Sequence, residues 1–143
     1  MQKTIEKFKE RFDKKLSIEF FDKQNTNSVE VWQFWWYYEG MNIGNEISKD
    51  IPFKRVCLIL NNNIWNGLVF VAPITTKSKS WSQKYHVKIE NYQKYWLKTP
   101  SIIINQIKII DKKRISHKLS ENKISKWFVS SIIKVFYDMI FLK

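Results

Sequence analysis

Residues 55–76, Arg55-Val56-Cys57-Leu58-Ile59-Leu60-Asn61-Asn62-Asn63-Ile64-Trp65-Asn66-Gly67-Leu68-Val69-Phe70-Val71-Ala72-Pro73-Ile74-Thr75-Thr76, decide the fold. Two short, nearly continuous apolar runs, 55–60 and 68–74, flank a polar stretch that contains Asn61-Asn62-Asn63 and ends in Asn66-Gly67. Asn-Gly readily adopts the positive φ of a tight hairpin, and both runs are rich in β-branched residues. The stretch therefore predicts two buried antiparallel strands joined by a hairpin connection, the second ending at Thr75-Thr76.

Outward from this hairpin the same character persists. Val31-Trp32-Gln33-Phe34-Trp35-Trp36-Tyr37-Tyr38 is aromatic and β-branched, as a strand should be. Gly40 and Gly44 then stand at turn positions, and residues 47–53 form a polar loop that holds Pro52. After a basic loop, 77–84, Tyr85, Val87 and Ile89 alternate with polar residues, which suits an antiparallel strand with one wet face. Ser101 to Ile104 and Ile107 to Ile110 are further β-rich runs, joined at Asn105-Gln106. At the ends the period changes. Ile5, Phe8, Phe12 and Leu16 recur every three or four residues and predict an amphipathic helix from Thr4 to Phe21. Ser120 is placed to cap a second helix over about 121–141, with Ile124, Trp127, Phe128, Ile132, Val135, Phe136, Met139 and Ile140 as its apolar stripe. Short strands at close spacing leave little room for crossovers. They predict a mainly β, α+β architecture: a small antiparallel barrel between flanking helices. The length, 143 residues, fits a single domain, with 1–28 as a helical extension, 30–115 as the barrel and 120–142 as the C-terminal helix.

Lys and Arg number 25 against 13 Asp and Glu, a formal net charge of +12. Such a charge destabilises the compact state through self-repulsion and attracts polyanions. Nucleic acid is the commonest partner for it, an anionic membrane surface the second and an acidic protein the third; a lysine-rich coding bias is the bland account. A membrane-surface protein would use the C-terminal helix, but Lys134 and Asp138 sit among its apolar residues. With hydrophobic residues at 44% the chain has material for a packed core. No apolar run reaches the ~18 residues of a spanning helix, and the start lacks the pattern of a secretion signal, so a cytoplasmic location is expected. The lone Cys57 lies in an apolar run and reads as a small buried hydrophobe.

Most catalytic constellations are missing. His86 and His117, the only histidines, read as ordinary surface residues, and with one cysteine they predict neither a metal site nor a cofactor. No GxSxG or Walker sequence occurs, and no paired carboxylates are spaced for a two-metal nuclease. What remains suits RNA cleavage without metal, because the RNA 2′-OH supplies its own nucleophile. An enzyme must then align that hydroxyl, stabilise the charge of the phosphorane and manage two protons. An arginine provides a fixed fork for phosphate oxygens, and a neighbouring hydroxyl can orient the same group. Arg55 begins one strand and Thr75-Thr76 ends the next, so antiparallel pairing would set them at one end of the sheet. Arginine and threonine are also common at strand ends with no such role.

The strings Gly40-Met41-Asn42-Ile43-Gly44-Asn45-Glu46, Phe53-Lys54-Arg55-Val56-Cys57-Leu58-Ile59-Leu60, Pro73-Ile74-Thr75-Thr76-Lys77 and Ile104-Asn105-Gln106-Ile107-Lys108-Ile109-Ile110-Asp111-Lys112-Lys113-Arg114 occur in this order. Together they resemble the PemK/MazF family of bacterial toxins, whose pattern runs through G-x-N-x-G-x-E, R-P-V-L-I-L, P-L-T-[ST]-K and S-Q-I-R-x-x-D-x-x-R-L. The resemblance implies an SH3-like barrel, a homodimer, neutralisation by a cognate antitoxin, and sequence-selective cleavage of single-stranded RNA without metal. It places the chemistry on Arg55, at the scissile phosphate and in proton transfer, and on Thr75, with Glu46 helping to hold Arg55 or the substrate. Gln106 and Lys108 fall in the fourth block as support and phosphate-binding residues. Beside them, Thr76, Lys77, Lys79 and Lys84 are expected to track the strand, and Trp81 offers a platform on which a base could stack, or else folds back on the protein.

Three of the departures from the pattern matter for the chemistry. Val56 replaces the proline after the arginine and so keeps an N–H and a freer φ. Lys108 replaces an arginine, keeping the charge and losing the planar fork, and Asn105 replaces a serine. A member with weakened cleavage is one outcome these departures allow. The alternative is a non-catalytic member of the same fold that binds RNA or a protein, as gyrase-poisoning toxins of that superfamily do.

Overall fold

A computed structural model of the chain describes residues 2–16, 29–39, 54–76, 84–95 and 100–141. Its elements are helix α1 (Gln2–Leu16), strands β1 (Phe34–Tyr38), β2 (Lys54–Trp65), β3 (Leu68–Thr75), β4 (His86–Lys88), β5 (Ser101–Ile103), β6 (Lys108–Asp111) and β7 (Ile115–Lys118), and helix α2 (Lys126–Phe141). The strands form one seven-stranded sheet in the order β4-β5-β3-β2-β1-β7, with β6 also on β3. Every pair is antiparallel. The expected mainly β, α+β class with flanking helices is observed. The strand path is open rather than a closed ring, with β4 and β7 as its ends among the described residues.

The continuous apolar runs are explained by burial on both faces. On one face Phe34, Val56, Leu58, Ala72 and Ile74 join Ile102, and Phe128 and Ile132 of α2 complete the layer. The alternate residues Trp35, Tyr37, Cys57, Ile59, Val69 and Val71 pack with Val29, Ile110 and Ile115 on the other face. A period of two thus sends each half of an apolar strand into a separate core layer.

The central hairpin turns at Asn66-Gly67, where Gly67 has φ +82° and a side chain would be strained. Asn61 to Asn63 are not part of the turn, contrary to expectation; they extend β2, whose register with β3 slips between Ile59 and Asn61 and again before Trp65. Their side chains stabilise this irregular stretch locally. Asn61 Oδ1 accepts from the Asn63 N–H at 2.9 Å, and Asn62 Nδ2 donates to the Val29 carbonyl at 2.8 Å.

β5 and β6 run consecutively along one edge of β3. Between the pairs Ile74↔Ile102 and Val71↔Lys108, β3 advances three residues while the facing chain advances six. The excess of three is the 3-10 turn Ile104–Gln106, which sits where the sequence placed the joint. The sequence reading missed β7. Its only buried residue is Ile115, so the strand carries almost no apolar signal, yet it pairs with β1 through Trp35↔Lys118 and Tyr37↔Ile115.

The helices differ from expectation in their bounds. α1 is described to Leu16; the rest of the expected span, to Phe21, lies outside the described residues. Its stripe Ile5, Phe8 and Phe12 is exposed. α2 starts five residues after the expected position because Ser125, not Ser120, caps it: Ser125 Oγ accepts from the Phe128 N–H at 3.2 Å. Ser120 instead accepts from the Asn122 N–H at 3.1 Å and donates to the Lys94 carbonyl at 3.4 Å. Of the expected stripe, Trp127 and Ile140 are exposed, while Phe128 and Ile132 face the sheet. No helix among the described residues is long and apolar enough to cross a membrane.

Two measurements check this packing. Ile132→Ala should lower the free energy of unfolding by about 2–5 kcal/mol in urea titrations, while Ile133→Ala should stay within about 0.5 kcal/mol of the unchanged protein. Cys57 is fully buried and its thiol is pushed well up by burial. An aromatic disulfide reagent at pH 8 should therefore leave the native thiol unmodified and react only when denaturant is added.

Candidate functional site

The site follows from register. β1 and β2 pair Tyr37 with Arg55. β2 and β3 pair Cys57 with Pro73 and Leu58 with Ala72, and this register continued two residues sets Arg55 level with Thr75. A direct contact agrees: Arg55 Nη1 donates to the Ile74 carbonyl at 3.2 Å. Thr75 in turn pairs with Ser101, and Ser101 with Lys88. Residues directly opposite in an antiparallel sheet share a face. Lys88, Ser101, Thr75, Arg55 and Tyr37 therefore form one transverse row, at the end of the sheet face whose interior is Cys57, Ile59 and Val71.

Arg55 is about half buried, which lowers its pKa, while the negative charge of Glu39 acts in the opposite direction. Glu39 follows β1 and is 2% exposed. A carboxylate this deep is tolerated only when paired, and Lys108 Nζ makes that ion pair with Glu39 Oε1. Lys108 reaches the position from β6, opposite Val71, with its ammonium 5.6 Å from the centre of the Tyr37 ring. The Glu39 carbonyl accepts from Arg114 Nη2 at 3.0 Å, so the main chain at this corner is also held. The structure thus gathers three cations, Arg55, Lys108 and Arg114, around one buried acidic residue.

The other residues singled out from sequence fall at varied distances from this corner. Thr76 is exposed immediately beyond Thr75. Gln106, half-buried, closes the 3-10 turn beside β3. Lys84 lies against the ring of Tyr85, 4.9 Å from its centre, before β4. Glu46, Lys77, Lys79 and Trp81 lie outside the described residues. His117 stacks on Trp36 at 6.0 Å, and Trp36 pairs with Val56, so this imidazole is on the face opposite Arg55. Burial, and then the charge of Lys54, hold its pKa below the ordinary value. Among the described residues no group of three or more His, Cys, Asp and Glu could hold a metal ion.

Tyr37, Ser101, Arg114, Lys88 and Glu39 were not singled out from sequence, and the last two show why. Lys88 was one lysine among many, and only its register with Ser101 puts it in the row. Glu39 closes an aromatic strand, and nothing in the linear pattern reveals that its partner is 69 residues away. A single acidic residue between an apolar strand and a glycine was the one available signal.

This arrangement offers a guanidinium fork and a hydroxyl at adjacent strand ends, with an aimed ammonium nearby. Such groups can grip a phosphodiester and stabilise negative charge that develops on it. The fold has solved counterparts. An endoribonuclease in complex with its cognate antitoxin from a mycobacterial species superposes with a TM-score of 0.56 at 13% identity, over 81% of this chain and 98% of that one. A MazE–MazF complex from Deinococcus radiodurans gives 0.56 at 12% identity, over 85% and 100%. A Mycobacterium tuberculosis MazF toxin gives 0.50 at 18% identity, over 68% and 96%. These likenesses establish the fold. No curated protein sequence matches the chain. The family model of PemK-like, MazF-like toxins of type II toxin–antitoxin systems matches residues 30–134, which take in every described strand and the first half of α2. The chain belongs to that toxin family.

Proposed function

We propose that the chain is a sequence-selective, metal-independent endoribonuclease that cuts single-stranded RNA as the toxin of a type II toxin–antitoxin pair. The observation that carries this reading is the placement of Arg55 level with Thr75 at one end of the sheet, with Arg55 Nη1 fixed on the Ile74 carbonyl. Family membership supports it, because both residues stand in the motifs that carry the family resemblance.

The chemistry follows from the substrate. The 2′-oxygen attacks the adjacent phosphorus, the bond from phosphorus to the 5′-oxygen breaks, and the products are a 2′,3′-cyclic phosphate and a 5′-hydroxyl. The 2′-proton leaves and the 5′-oxygen gains one, so the step needs no external water. Arg55 grips the non-bridging oxygens of the scissile phosphate, where its fork matches two of them. Its burial lowers the pKa of the guanidinium and the charge of Glu39 opposes that shift, so the fork stays a cation that can hold the phosphate. The Thr75 hydroxyl orients the same phosphate. Thr76, Lys77, Lys79, Lys84, Gln106 and Lys108 extend the contact along the strand and Trp81 offers a base a stacking platform, while the resemblance adds Glu46 as a residue that helps hold Arg55 or the substrate. A net charge of +12 draws the polyanion to the protein and makes binding salt-dependent.

An antitoxin partner is part of the proposal, on the precedent of structural neighbours that were solved with theirs. A homodimer and a cytoplasmic site of action complete the reading.

The test is cleavage of a long single-stranded RNA by purified protein in excess EDTA. Arg55→Ala should reduce the rate at least ~10²-fold, as loss of a donor to a developing oxyanion does. Thr75→Val, which keeps the shape and removes the hydroxyl, should reduce it about tenfold or more. Cleavage that requires magnesium, or that survives Arg55→Ala unchanged, would sink the assignment. RNA bound by the unaltered protein with no product formed would favour the non-catalytic alternative.

A further inference from the structure

Glu39 is the one carboxylate among the described residues that is both almost wholly buried and ion-paired. Its side chain has no exposed surface, whereas that of Lys108 is 29% exposed. Glu39 therefore does not touch a substrate in this structure, while Lys108 can. The carboxylate occupies one donor of the Lys108 ammonium and leaves two, and the ammonium sits near the centre of the Tyr37 ring. Tyr37 is the register partner of Arg55, and the field of Glu39 reaches Arg55 as well. A flexible lysine would otherwise sample many rotamers and be repelled by a neighbouring guanidinium. A single buried negative charge removes both obstacles, since it fixes the direction of one cation and offsets its repulsion of the other.

We propose that Glu39 is a positioning residue of this site: a buried counter-ion that aims Lys108 so that its ammonium and the Arg55 guanidinium act on the same phosphate. The proposal rests on the nuclease reading above and adds to it a residue that the sequence motifs do not contain. It also accounts for the lysine at 108. A compact ammonium anchored from behind by a carboxylate regains part of the directionality that an arginine fork has by itself.

Glu39→Gln, Lys108→Met and the double variant test this. Glu39→Gln removes the anchor and leaves a solvent-accessible lysine, so the protein should fold, with KM unchanged or lower because the site gains net positive charge, and with kcat down about tenfold. Lys108→Met removes the ammonium that pairs with the buried carboxylate and should lower Tm most. The double variant leaves neither charge, so its Tm should return to within a few degrees of the unaltered protein while kcat stays down at least about tenfold. Its binding of an uncleavable 2′-O-methyl single-stranded RNA should show a slope of log Kd against log salt shallower by about 0.7, one phosphate contact on a single strand. A double variant that recovers both Tm and kcat would make the pair purely structural and overturn the proposal, as would Glu39→Gln with unchanged kcat. If the unaltered protein cuts no RNA in EDTA, the nuclease reading fails separately. The binding slope then decides alone: a slope unchanged in the double variant overturns the proposal, and the shallower slope retains Lys108 as an aimed phosphate contact.

Discussion

The antiparallel pairing of β2 with β3 is the constraint on which the rest of the molecule depends. The apolar stretches 56–59 and 69–74 are buried on both faces, so a slip of one residue would move Val56 and Leu58 out of one core layer and Cys57 and Ile59 out of the other. The register is therefore fixed by apolar packing far from any chemistry. One consequence is that Arg55 and Thr75, twenty residues apart in sequence, arrive level at the same end of the sheet. β1 and β5 then dock on the outer edges of this pair and bring Tyr37 and Ser101 into the same row. Functional geometry here is inherited from core packing.

The second constraint is electrostatic. A chain with net charge +12 has no difficulty attracting a polyanion; its difficulty is holding cations together without one. At the site this is met by one acidic residue placed where water does not reach. Burying a lone carboxylate is costly, and pairing it with Lys108 offsets that cost while leaving the outer side of the ammonium exposed. The Glu39 carbonyl, held by Arg114, links the same corner to the turn that precedes β7.

How much of this was legible in the sequence depends on the range of the interactions concerned. The hairpin strands could be read because their signal is local: β-branched apolar runs, Asn-Gly at the turn, and Pro73-Ile74-Thr75 at the end. The joint at Asn105-Gln106 was legible for the same reason. β7 was not, because its residues are mostly polar and its place is set by pairing with β1 rather than by its own pattern. The helix cap was misplaced because Ser120 and Ser125 are alike in sequence, and only the hydrogen bonds distinguish them. In the site, the level placement of Arg55 and Thr75 could be anticipated from antiparallel pairing. The anchoring of Lys108 could not, since an ion pair across 69 residues leaves no local trace.

In the proposed reaction the nucleophile belongs to the substrate, and the protein supplies position and positive charge. The most direct test of that claim is the identity of the new RNA ends, read by mass spectrometry of a short oligonucleotide cut in EDTA. The account expects a 2′,3′-cyclic phosphate on the upstream fragment and a 5′-hydroxyl on the downstream one. A 3′-hydroxyl paired with a 5′-phosphate would mean that water, rather than the 2′-oxygen, attacked phosphorus, and would contradict it.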